Sequence, residues 1–248
     1  MPTPYFVFLL SLLAYLSTSC TSEAPPAAAA AEPAPEPTRG LVEDVLTEEE
    51  QAALTPAEVI GLFEAGNERF VNNDLTARDH SEQVRKSAKG QYPKAIVLSC
   101  VDSRVPVEDV FDRGIGDIFV ARVAGNVISP DMLGSMEYAC KVAGSKLVVV
   151  LGHEYCGAVK SAVEGVELGN VTPLLAKITP AVAATVYEGD RSVDNRAFMH
   201  EVCLTNVGRS VAQIRTESPI LAELEAEGSI RIVGAVYDMD SGKVAFLD

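Results

Sequence analysis

Two short apolar runs without a polar interruption, Ala95-Ile96-Val97-Leu98 and Leu147-Val148-Val149-Val150-Leu151, limit the folds open to this chain more than any other feature. A strand that is apolar on both faces has to be covered on both, and that is the condition of a parallel sheet held between helices. Ile118-Phe119-Val120 lies between them, and Ile230 to Tyr237 supplies a later strand. Helical signals alternate with these runs. Thr55-Pro56-Ala57-Glu58 is a capping box with proline at the first helical position and opens a helix to about Asn73. Ser129-Pro130 starts another through about Val142, a third runs from Gly157 to Val166, and longer patterns cover Pro173 to Tyr187 and Asn195 to Arg215. Asp240-Ser241-Gly242 is a turn signal leading into a terminal edge strand. The expected class is α/β.

Metal-ligand chemistry follows both runs. Cys100-Val101-Asp102-Ser103-Arg104 comes after the first and His153-Glu154-Tyr155-Cys156-Gly157 after the second. Two thiols and one imidazole make a three-ligand zinc set with an open fourth position, which distinguishes catalytic zinc from the closed structural kind. His153 and Cys156 are three residues apart, so a tight turn entering a helix puts both on one face; Cys100 must come from a separate element. Both clusters sit just past the carboxyl end of a buried strand, the edge at which open α/β sheets bind ligands. Asp102 and Arg104 form an acid and base pair beside the metal, the alternative being an ordinary surface ion pair.

Cys-x-Asp-x-Arg followed some fifty residues later by His-x-x-Cys resembles the signature of the β-class carbonic anhydrases, and both halves stand intact. The likeness extends to the stretch from Gly116 to Asn126, to Ser135-Met136-Glu137-Tyr138-Ala139 and to Gly234-Ala235-Val236-Tyr237-Asp238, covering roughly residues 50 to 248. The resemblance implies the β-carbonic anhydrase fold, a central mostly parallel sheet flanked by helices. It implies one Zn2+ per chain on Cys100, His153 and Cys156, and reversible hydration of CO2 to bicarbonate and a proton by attack of zinc-bound hydroxide. Asp102 would accept a hydrogen bond from that hydroxide, and Arg104 would keep Asp102 ionised and off the metal. Gln91 matches a substrate-binding glutamine of the plant-like, open-site members, and the backbone N–H of Gly157 could face a bound oxyanion. A homodimer or a multiple of dimers follows from the same likeness. Two other readings keep the ligands: a carbonyl sulfide or carbon disulfide hydrolase on the same fold, and a non-catalytic zinc-binding protein. His80 and His200 lie outside any ligand spacing, and Glu154 and Tyr155 receive no role.

The amino-terminal part differs in kind. Tyr5 to Leu16 is nearly unbroken in apolar residues, too short to span a bilayer and of the length of a signal-peptide core. Residues 1–19 are therefore expected to be a signal peptide, with Cys20 a lipidated amino terminus, as at bacterial lipoprotein cleavage sites. The protein would then be exported to the periplasm and, with Cys20 lipidated, anchored to the membrane; the alternative is a cytoplasmic protein with a frayed extension. Residues 20–45, rich in Ala, Pro and Glu, read as an extended tether, and 46–248 as the catalytic domain. Cys140 and Cys203 lie in apolar helical patterns and are expected to be buried hydrophobes rather than a disulfide pair. The formal charge of -15 argues against a nucleic-acid partner.

Overall fold

Every residue of β1 (Ala95–Ser99) and β3 (Leu147–His153) is buried, as their composition requires. They are adjacent inner strands of a five-stranded sheet completed by β2 (Ile118–Arg122), β4 (Arg231–Tyr237) and β5 (Val244–Leu247), in the order β2-β1-β3-β4-β5. All neighbours pair parallel except β4 and β5, which are antiparallel. The structure, a computed structural model, describes residues 40–247. The expected signal peptide, Cys20 and most of the tether lie outside the described residues. No helix among the described residues is long and apolar enough to cross a membrane.

The helices are α1 (Glu48–Ala53), α2 (Pro56–Val71), α3 (His80–Ser87), α4 (Val107–Val110), α5 (Pro130–Glu137), α6 (Gly157–Glu164), α7 (Val171–Leu175), α8 (Thr179–Ala184), α9 (Arg196–Glu217) and α10 (Pro219–Ala226). Period-two alternation sends β1 side chains to two different cores. Ile96 and Leu98 join Val148, Val150 and the α9 residues Val207, Val211 and Ile214 on one face. Ala95 and Val97 join Val149, Leu151 and the α2 residues Val59 and Phe63 on the other. Cys140 and Cys203 are buried free thiols, each pushed up to about 12 by burial. Gly152 lets α9 approach β3, since a Cβ there would meet Val207 at 2.5 Å and the Cys203 sulfur at 3.1 Å.

Two expectations change in detail. The helix expected over Pro173 to Tyr187 is two short ones, α7 and α8, because Pro180 has no N–H and its ring excludes a helical carbonyl four residues earlier. The folded body also takes in residues 42–44 of the expected tether. Val42 donates to the Ala77 carbonyl at 2.9 Å and accepts from Asp79 N at 3.0 Å, and Gln83 donates to the Asp44 carbonyl.

Asp112, which sequence reading passed over, ties the loop after α4 to the segment following α2. Its side chain is fully buried and its backbone is left-handed, with φ 50°. Arg69 Nε, Thr76 Oγ1, Arg78 Nη1 and Thr76 N donate to the carboxylate at 2.5, 2.6, 2.6 and 3.1 Å. Burial alone would raise its pKa; the bonds from Arg78, Thr76 and Arg69 overcome this and hold it at about 2. Asp112→Ala should destabilise the protein by about 3–5 kcal/mol in urea unfolding, because two arginines lose a buried counter-charge. A change under about 1 kcal/mol would show the cluster to be dispensable. A depressed carboxyl stabilises above its unfolded pKa, so this contribution is present at neutral pH and fades as pH falls from about 4 towards 2.

Candidate metal centre

Cys100 follows the last residue of β1, His153 is the last residue of β3, and Cys156 is the N-cap of α6. Parallel pairing aligns Ser99 with Leu151, so the two strands deliver their next residues to the same rim. Two of the ligand atoms are the Cys100 and Cys156 sulfurs and the third is a His153 ring nitrogen; all lie within 4.8 Å of one another on buried residues. His153 Nδ1–H donates to the Glu154 carbonyl at 2.8 Å, which fixes the tautomer and leaves Nε2 with its lone pair. That Nε2 is a buried polar atom without a hydrogen-bond partner. A buried orphan nitrogen facing two sulfurs fits a tetrahedral, thiophilic cation, and the three residues would hold zinc with a fourth position free.

Neighbouring groups favour the anion at one of the two sulfurs. Cys156 donates to the Cys100 sulfur and pulls its thiol down to about 4, against burial and aided by the Gly125 N–H at 3.3 Å. The Cys156 thiol moves the other way, raised by its bond to Cys100 and by burial, although the Val159 and Ala158 amides at the start of α6 favour its thiolate. Gly125 can take this place because it has φ 68°, and a Cβ there would come within 2.4 Å of Ile178. Asn206 donates to its carbonyl at 3.0 Å and fixes the turn.

Asp102 and Arg104 stand beside the cluster. Arg104 Nε reaches Asp102 Oδ1 at 2.9 Å and Nη2 reaches Oδ2 at 2.8 Å, with the Arg104 N–H adding a third bond at 3.0 Å. The Arg104 side chain is the main reason that Asp102 falls to about 2. Asp102 Oδ2 is 4.0 Å from His153 Nε2. Arg122 braces the loop from below, donating to the Cys100 carbonyl at 2.9 Å and the Asp102 carbonyl at 2.5 Å.

The structure brings five of the seven expected site residues together, and Gly157, as the first residue of α6, lies next to Cys156. Gln91 is elsewhere. It precedes the amino end of β1, whereas Cys100 follows the carboxyl end, and the strand alone separates them by about 16 Å. Its neighbours are Tyr92, Tyr138 and Val142. Nine intervening residues are far apart in space when most of them form a strand. His200, which lies outside any ligand spacing, pairs with the buried carboxylate of Glu154, and Tyr155 has a left-handed backbone with φ 56°.

The carbonic anhydrase family profile matches residues 95–244 of this chain. Carbonic anhydrase 2 of Mycobacterium tuberculosis is 38% identical over 189 residues, which is 74% of this chain and 88% of that protein. A crystal structure of a β-carbonic anhydrase from Aspergillus fumigatus superposes with a TM-score of 0.62 at 26% identity, covering 77% of this chain and 89% of that one. One of two tetrameric β-carbonic anhydrases from Sordaria macrospora gives 0.61 at 25% identity, covering 77% and 94%. With the profile spanning most of the sheet and both ligand motifs, the chain belongs to the β-class carbonic anhydrases, a family of lyases.

Proposed function

We propose that this enzyme hydrates CO2 reversibly to bicarbonate and a proton, using one zinc ion held by Cys100, His153 and Cys156. The observation that carries the reading is the buried set of two sulfurs and one unpartnered ring nitrogen, with an ionised carboxylate beside it. Zinc in such a set supplies hydroxide near neutral pH by acidifying water, an effect for which carbonic anhydrases are themselves the reference case. The chain's own contribution is orientation. Asp102, through the oxygen nearest His153 Nε2, accepts a hydrogen bond from the attacking oxygen and aims its lone pair at the carbon of CO2. Arg104 occupies both carboxylate oxygens, so Asp102 stays ionised and its position stays fixed. The Gly157 N–H, at the positive end of α6, favours the anionic product.

The bidentate Asp102–Arg104 pair supports the open-site subtype. Gln91 could take part only from another copy of the chain, which agrees with a dimer or a multiple of dimers. The half-buried apolar edge strand β2, with Phe119 stacked edge-on against the half-exposed Tyr138 at 6.1 Å, also agrees with this. The test is stopped-flow CO2 hydration with zinc content and sedimentation measured on the same sample. One zinc per chain, hydration far above the spontaneous rate and a mass of two chains or more are expected. Zinc without hydration would sink the reading, and carbonyl sulfide hydrolysis in its place would move the enzyme to that substrate class.

A further inference from the structure

Tyr155 lies between two of the ligands with a left-handed backbone, φ 56°. For an aromatic residue this conformation is strained and persists only where the surroundings impose it. Burial does not impose it here, because the residue is 48% exposed. Two other side chains grip the ring instead. Arg196, the first residue of α9, lays its guanidinium over the ring face, 5.1 Å from the centroid. The Tyr155 hydroxyl donates to Asp240 Oδ2 at 2.9 Å, and Arg196 pairs with the same oxygen. Asp240 is itself fixed in the β4–β5 turn by its N–H bond to Asp238 at 2.9 Å. One turn further along α9, His200 holds Glu154, so one helix grips two consecutive residues of the ligand loop.

The other side of Tyr155 faces the reaction centre. Its carbonyl accepts from Arg104 Nη2 at 3.3 Å, and that same nitrogen donates to Asp102 Oδ2 at 2.8 Å. Resting on the proposed function, we propose that Arg196 and Asp240 are positioning residues: they clamp Tyr155 so that its carbonyl orients Arg104, and through Arg104 they hold Asp102. Exposed ion pairs of this kind add little to global stability, so the clamp can be removed without unfolding the protein.

Arg196→Ala is the primary test, with kcat, KM, melting temperature and the visible spectrum of the cobalt(II)-substituted protein measured together. Loss of an outer partner in a metal site typically costs about 10–100-fold, and kcat is expected to fall about tenfold with KM within about twofold. The melting temperature should hold. The cobalt spectrum should change as Asp102 loses its fixed place, and Arg196→Lys, which can still pair with Asp240 and cover the ring, should restore most of kcat. Should Arg196→Ala fail to fold, Asp240→Ala makes the same test from the other end of the contact. Wild-type kcat with an unchanged cobalt spectrum would overturn the proposal, as would a fall in kcat that appears only with a lowered melting temperature. If the unmodified enzyme does not hydrate CO2, the functional reading fails, and the cobalt spectrum still decides the clamp.

Discussion

Cys156→Ala is expected to purify with almost no zinc and to hydrate CO2 at the background rate. The substitution leaves two ligands, Cys100 and His153, for an ion that needs at least three from the protein. Losing a partner outside the ligand set already costs about 10–100-fold in metal affinity, so losing a ligand should exceed about a hundredfold. The fold should survive. Cys156 caps α6 at the edge of the sheet, while the two main cores are built from β1, β3, α2 and α9. Circular dichroism close to that of the parent protein, with metal analysis near zero, is the expected pair of results. Full zinc occupancy in this variant would show that the ligand set is wrong.

Asp102→Asn should keep its zinc and lose activity by about 100 to 10,000-fold, the range expected when a group that handles a proton in the transition state is disabled. An amide is nearly the size of the carboxylate but cannot accept at both positions, so Arg104 loses one of its two partners. Arg104→Ala should fall by a similar factor for the complementary reason: Asp102 keeps its charge but loses the group that holds it. Arg104 keeps Asp102 at about 2, so the carboxylate is ionised throughout any ordinary assay range. Hydration by the unmodified enzyme should therefore show no acid limb near pH 4 from this residue. Parental rates in either variant would assign the pair to structure alone.

The sheet and the ligands were legible because their signals are side-chain signals. Apolar runs such as Leu147 to Leu151 have few other uses, and thiols beside an imidazole at a helix start have few alternatives. What escaped the sequence is carried mainly by the backbone. The Gly125 amide on the Cys100 sulfur and the Tyr155 carbonyl on Arg104 involve groups that every residue possesses. Only glycine in Val123-Ala124-Gly125-Asn126, where a strand must turn tightly, hinted at the first. The distance of Gln91 from the metal ligands of its own chain could not be read from the sequence, because spacing in sequence is not spacing in space along an extended strand. The short helix α10 has the same Ser-Pro start as α5, in Ser218-Pro219, and went unread because eight residues carry too little period to register.

The parallel pairing of β1 with β3 also makes the metal a monitor of folding. Two of the three ligands stand at the carboxyl ends of these paired strands, so their separation depends on the register between them. A slip of one residue between the strands would displace Cys100 from His153 by about 3.3 Å along the strand while leaving most backbone bonds of the ladder formed. Such a misaligned sheet could look well folded by secondary-structure content, yet it would present no three-ligand set. Zinc bound as proposed would thus report, during refolding, the register of strands some fifty residues apart, and would favour the aligned sheet.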